Sequence, residues 1–468
     1  MQNLSSISEL DAAGLVAAYR RRQLSPVEVA TALLRRQERL ADLRAIVCAA
    51  DERAIDAARQ AERRYANDTA RGPLDGVPFV VKDLIDTASL PTVCGAPLLL
   101  AGRRPARDAV AVARMVEAGA VLLGKTATHQ FGLGITTVGE QTPPVRNPWH
   151  RDRTAGGSSG GSACAVAAGL APIALGTDTA GSVRIPADFC GVVGLRPTRG
   201  AVPMEGVWPL APTLDQVGPL TRTVADAARV LDLLRGAGPR PRPPRTLEGL
   251  RVGVADELAF ERCDAAHRRA LDDVLDAAVA AGAEVHAVAL PAVDASVDVL
   301  GAIVSVEALA THRASGLWPD RRRLYERDVR QRLLRAEDVT EAEQIAAGRR
   351  REEIAQALDR AFASVDVLLS PPAGVRPSPI AEGPGSTAFR TAVMSCVAPQ
   401  SLAGLPALVL PVTRDPDGVP VGVQLTAPRG RDDLLLDVGA QLEHAIGRAS
   451  VAPQTLLAAD VDDASGHG

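Results

Sequence analysis

The sequence predicts an α/β fold, a central mixed β-sheet flanked by α-helices on both faces, and three observations carry that expectation. With 46% hydrophobic and 23% charged residues, the composition is that of an ordinary globular chain with ample material for a core. Short apolar runs of strand length alternate with longer segments of helical periodicity. Residues 251–290 read as strand, helix, strand, the βαβ-like pattern of a parallel pair.

Taken in order, residues 1–70 read as a helical segment. Ser25-Pro26-Val27-Glu28 is a helix start, with Ser as N-cap, Pro in the first turn and Glu closing a capping box. Val29, Leu33 and Leu40 then recur at helical spacing. Around 74–82 the pattern becomes LDGVPFVVK, a short apolar strand ending in a charge. A helix over 109–119 and a strand over 120–123 follow. From 132 to 200 the chain is dense in Gly, Ser and Thr, which reads as loops around a site. Residues 238–245 (GPRPRPPR) fit neither a helix nor a central strand and read as a surface connection. Beyond it come a strand (251–255), a helix (265–281), a strand (284–290), charged helices over 320–364, and strands at 365–369 and 405–411. The tail after Pro453 reads as frayed.

Several function classes are set aside. Net charge is −4 with both signs mixed along the chain, and no basic stripe is present, so nucleic acid is not expected as a partner. The N-terminus lacks the pattern of a signal peptide, and no apolar run is long enough to span a bilayer, so no membrane partner is expected. The six cysteines form no CxxC pair and no His-linked metal spacing, so neither a metal nor a cofactor is expected. They read as buried thiols in a reducing cytoplasm.

Among 52 basic residues only Lys82 and Lys125 are lysines. Arginine cannot lose its proton inside a protein, whereas a desolvated lysine can. A position that needs a titratable amine resists replacement by arginine, which singles out Lys82.

Two motifs mislead. Residues 119–126, GAVLLGKT, satisfy the phosphate-loop pattern, but Ala-Val-Leu-Leu is strand-like and a helix precedes it, the reverse of the required context. Residues 156–160, GGSSG, fit the nucleophile-elbow pattern. The preceding RNPWHRDRTA is polar and irregular, and the downstream histidines lack a supporting motif.

The informative stretch is 155–201. GGSSGGSA places Ser158, Ser159 and Ser162 among small residues, and GTDTAGSVRIPA places Ser182 after a run whose backbone can approach a ligand closely. Successive exposed amides in such a run can hold an oxyanion.

With LDGVPFVVKD (74–83), RNPW (146–149), DQVGP (215–219), DVLLSP (366–371), GLPALVLP (404–411) and GVQL (422–425) in the same order, the chain resembles the amidase signature family over most of its length. The resemblance implies one amidase signature domain over 71–455, with 456–468 as tail. It implies hydrolysis of a carboxamide C–N bond through a seryl acyl-enzyme by a Ser–cis-Ser–Lys triad: Ser182 as nucleophile, Ser158 as bridge and Lys82 as base. Backbone amides of Thr179, Ala180, Gly181 and Ser182 would form the oxyanion hole. Asp178 is expected to orient the loop and Asp83 to help fix Lys82, with Ser159 and Ser162 structural.

Arg184 is either a structural ion-pair partner or a reader of a substrate carboxylate; Gln130 and Trp318 are further substrate-binding candidates, with His312 and Tyr325 near the last. Where the family usually carries Asn and Glu after Gly-Lys-Thr, this chain has Ala127 and Gln130, and Ala180 replaces a usual Gly.

The reading favoured is a free-standing amidase acting on a small-molecule amide, urea-like or carboxylated, with a homodimer left open by analogy. The alternatives are the glutamine-hydrolysing subunit of an aminoacyl-tRNA amidotransferase and an inactive scaffold. That subunit normally has an acid about seven residues before its Asn-x-x-Gly-Leu-Pro segment, a place that falls near Met394 here.

Overall fold

The computed structural model describes residues 4–238, 240 and 246–447. Most of the Pro-rich stretch and the tail after Pro453 lie outside them. Eleven strands form one mixed sheet: β1 (Ile46–Ala49), β2 (Pro78–Lys82), β3 (Val121–Thr126), β4 (Ile173–Asp178), β5 (Val193–Arg196), β6 (Gln216–Thr221), β7 (Arg251–Val254), β8 (Glu284–Ala287), β9 (Val367–Ser370), β10 (Ala407–Arg414) and β11 (Pro420–Thr426). Their order is β1-β3-β2-β4-β6-β5-β10-β11-β9-β7-β8. β2 runs parallel to both β3 and β4, and β7 parallel to β8, as the strand–helix–strand reading required.

Local sequence explains the elements that position the site. β2 is buried along its whole length, as suits a central strand covered on both faces. Its last residue, Lys82, therefore leaves the sheet inside the protein. The helix Pro26–Arg39 starts with the expected reciprocal capping box between Ser25 and Glu28. The segment 1–70 is not wholly helical, since β1 is an edge strand within it that pairs antiparallel with β3.

Residues 132–200 depart most from expectation. They contain two buried helices, Gly160–Ala167 and Arg184–Cys190, and two buried strands, β4 and β5. Small side chains are needed there by close approach rather than flexibility. A Cβ on Gly161 would lie 2.5 Å from the amide nitrogen of Ala127. That contact lets the Gly160–Ala167 helix pack directly on the chain leaving β3.

Candidate active site

The site forms where β2, β4 and the turn after β4 meet the N-terminus of the Gly160–Ala167 helix. The ammonium of Lys82, fully buried, donates to Ser158 Oγ at 2.8 Å and to Thr177 Oγ1 at 2.8 Å. The Gly157–Ser158 peptide is cis. Ser159 donates its amide to the carbonyl of Ser182 at 3.2 Å, which ties the two serine segments together. Among the described residues the hydroxyl of Ser182 has no hydrogen-bond partner, and it lines a cavity of about 250 Å³. Lys82, Ser158 and Ser182 are thus gathered in one place, with Lys82–Ser158 as the bonded leg.

Burial pushes the Lys82 amine down to about 7, against the pull of the Asp178 and Asp215 carboxylates. Few ammonium groups lose their proton near neutrality, and removal from water is the largest cause here. Asp83 does not fix Lys82 as expected. Its carboxylate accepts from the amides of Val93 and Gly95 and lies 3.9 Å from the other lysine, Lys125. Lys125 donates to Ile85 O and Thr92 Oγ1, so it braces the loop after β2 from outside the site. Thr177 at the end of β4 does for Lys82 what was expected of Asp83.

Asp178 organises the turn that carries Ser182. It accepts from the amides of Gly181 (2.9 Å) and Val183 (3.2 Å) and pairs with the buried guanidinium groups of Arg184 and Arg196. Burial alone would raise its carboxyl, but the two guanidinium charges outweigh this and hold it well below the usual carboxylate range. Gly181 sits at φ +94°, and a Cβ there would lie 2.6 Å from Val397. This geometry corrects the expected oxyanion hole. The Gly181 amide is committed to Asp178, which leaves those of Thr179, Ala180 and Ser182 without a hydrogen-bond partner among the described residues. Thr179 donates its hydroxyl to Asp215, fixing the first residue of the turn.

The three substrate-binding candidates do not line the cavity. Arg184 spends its guanidinium on Asp178, Gln424, Ser401 and the carbonyl of Val397, all buried, so it is the structural partner of the two alternatives. Gln130 accepts from the amide of Glu326 at 2.8 Å. Trp318 is buried in an aromatic cluster with Tyr325 and donates to Glu337. His312, bonded to Tyr325, belongs to the same cluster. The polar groups that do line the cavity include Arg332, Arg335 and Arg390, beside Thr387, Thr391 and Ser305. Arg390 falls in the stretch near 390–401 expected to set specificity. Arg332 was hidden by its surroundings, although it lies three residues after the buried Val329 and one before the buried Leu333. A charge at the border of an apolar helical stripe is the signal that marks it.

A buried amine beside a serine, a second serine opening onto a cavity and free backbone amides around it make a centre for acyl transfer. The match to known proteins gives that class its family. The family model described as Amidase matches residues 28–436, and the chain belongs to the amidase signature family. It is an enzyme acting on amide C–N bonds.

A glutamyl-tRNA(Gln) amidotransferase component from Natronomonas pharaonis is 37% identical over 411 residues, covering 80% of this chain and 96% of that protein. The crystal structure of an amidase superposes with a TM-score of 0.86 at 34% identity, covering 94% of this chain and all of that one. A 6-aminohexanoate cyclic dimer hydrolase, solved with substrate, gives 0.84 at 30% identity over 96% of this chain and 99% of its own.

One expectation is overturned by these relatives. The chain was expected to meet a small-molecule amide only, with no nucleic acid and at most a second copy of itself. Yet curated relatives matched over nearly their full length are named as subunits of a tRNA-dependent amidotransferase, components of a larger enzyme. Among the described residues, no helix is long and apolar enough to cross a membrane.

Proposed function

We propose that this chain is the amide-cleaving component of a larger assembly, working through a seryl acyl-enzyme on Ser182 and releasing ammonia or an amine. The observation that carries the chemistry is the neutral-leaning, buried Lys82 amine at 2.8 Å from Ser158 Oγ, with Ser182 opening onto the adjacent cavity.

In this reading Lys82 takes the Ser158 hydroxyl proton while Ser158 takes that of Ser182. Ser182 Oγ bonds to the amide carbon, and the carbonyl oxygen gains charge against the free amides of the 179–182 turn. As the tetrahedral adduct collapses, the C–N bond breaks and the relayed proton goes to the leaving nitrogen. Water then attacks the ester carbon, gives its proton back through the same relay, and frees the carboxylate and Ser182.

The relatives' names support an assembly in which the ammonia passes to a second reaction, with glutamine as the donor amide. Against glutamine itself stands the chemistry of the cavity, which offers arginines and no carboxylate to meet an ammonium. Ammonia release from glutamine, simple carboxamides and carboxylated amides, each with wild type and Ser182→Ala, tests the reading. Turnover of one class that is silent in the variant is the expected result. Equal ammonia release by wild type and Ser182→Ala would remove Ser182 from the chemistry.

A further inference from the structure

The cavity beside Ser182 carries a charge pattern that the acyl-enzyme chemistry does not require. Arg332, on the helix Arg327–Ala336, has its Nε and Nη2 sealed from solvent with no hydrogen-bond partner. Arg390, on the helix Thr387–Ala403, and Arg335 line the same cavity, and none of the three forms an ion pair among the described residues. No Asp or Glu lines the cavity. The nearest countercharge, Asp328, stands one turn before Arg332 and is engaged by His129 Nε2 at 3.1 Å.

The guanidinium groups therefore face one another across a space with one shared carboxylate, and each lowers its neighbours' affinity for a proton. Burial is the larger cause, bringing Arg332 down to about 10. Unpaired buried charge of this kind is costly, and a guanidinium fork matches a carboxylate with two parallel hydrogen bonds.

We infer that Arg332 and Arg390 form an anion subsite selecting a carboxamide whose acyl part carries a carboxylate and no amine: a short dicarboxylic acid monoamide. The inference rests on the Ser182 reading above, because the same cavity must deliver the amide carbon to that hydroxyl. An ammonium on the substrate meets two or three guanidinium groups and no acid, so glutamine is disfavoured relative to glutaramate, its counterpart lacking the amine. A neutral amide such as butyramide leaves the arginines uncompensated. The small cavity, about 250 Å³, suits an acyl chain of a few carbons.

Calorimetric titration of the full-length Ser182→Ala chain with glutaramate, succinamate, glutamine and butyramide tests the subsite without needing turnover. Glutaramate or succinamate is expected to bind at least ten-fold tighter than glutamine and than butyramide. Arg332→Met and Arg390→Met in that background should each cost ten-fold or more for the acid amides and less than two-fold for butyramide.

Because each removes an unpaired cation, neither variant should melt below its parent, which separates a binding role from a structural one. Glutamine binding as tightly as glutaramate would overturn the inference, as would acid amides that bind no better than butyramide or are indifferent to both arginines. Failure of the Ser182 chemistry looks different: the wild type would bind glutaramate but release no ammonia.

Discussion

Replacing Lys82 by Met should abolish turnover and yet stabilise the protein at neutral pH. The amine is fully buried and its affinity for a proton falls from 10.5 to about 7. Holding it neutral in the folded state at pH 7, when the unfolded chain keeps it charged, costs roughly 5 kcal/mol at 1.36 kcal/mol per unit. Methionine removes that cost and fills similar space. It also forfeits the hydrogen bonds to Ser158 and Thr177, worth about 1 kcal/mol each.

The net is a gain of about 2–3 kcal/mol at pH 7, by the same increments. Between pH 7 and 10.5 the unfolded wild type holds the extra proton, so wild-type stability rises with pH. The variant's advantage should shrink by up to about 1.4 kcal/mol per pH unit and vanish near pH 9. Urea unfolding of both chains at pH 7, 8 and 9 measures this directly. A variant less stable than wild type at pH 7, by an amount constant up to pH 9, would mean a charged and well-paired lysine, and the reasoning would fail.

Other consequences follow from the same geometry. If the neutral amine is the base, kcat/KM for an activated amide should fall about ten-fold per unit below pH 7. A profile flat to pH 5 contradicts that assignment. His267 is clamped between Asp188 and Asp264, and although burial opposes it, the two carboxylates raise its imidazole from 6.5 to about 9. It contributes stability in full below pH 6.5, roughly 3 kcal/mol at 1.36 kcal/mol per unit, lost as pH rises through 9. His267→Gln should remove that slope, and an unchanged slope in urea unfolding between pH 6.5 and 9 would exclude the clamp. Asp178→Asn leaves the buried Arg184 and Arg196 without their carboxylate and should cost about 3–5 kcal/mol. A loss under about 1 kcal/mol, the scale of an exposed pair, would show that the network holds little.

What the sequence made legible was whatever it wrote in contrast. The Ser25–Glu28 capping box, the wholly apolar β2 and the strand–helix–strand run ending in β8 each carry a start signal or a period, and each stands where expected. Residues 132–200 carry neither. The helix Gly160–Ala167 is buried on every side and built of small residues, so no polar face exists to reveal its period. β1 is short, partly exposed and on the sheet edge, and four residues of IVCA between helices give little to read.

The triad candidates stood out because lysine is rare here and serines cluster among glycines. The cavity arginines could not stand out in the same way among fifty arginines. Arg184 invited a binding role from its place beside Ser182, but only the folded neighbours Asp178, Gln424 and Ser401 show that its donors are spent.

The central claim is that Ser182 is the nucleophile made reactive by a neutral Lys82. Treating the full-length chain at pH 8 with a fluorophosphonate and locating the adduct by mass spectrometry tests it most directly. The account predicts a single phosphonyl adduct on Ser182, absent in Ser182→Ala and slowed at least a hundred-fold in Lys82→Met. Labelling at another serine, or at Ser182 with the same rate in Lys82→Met, would contradict it.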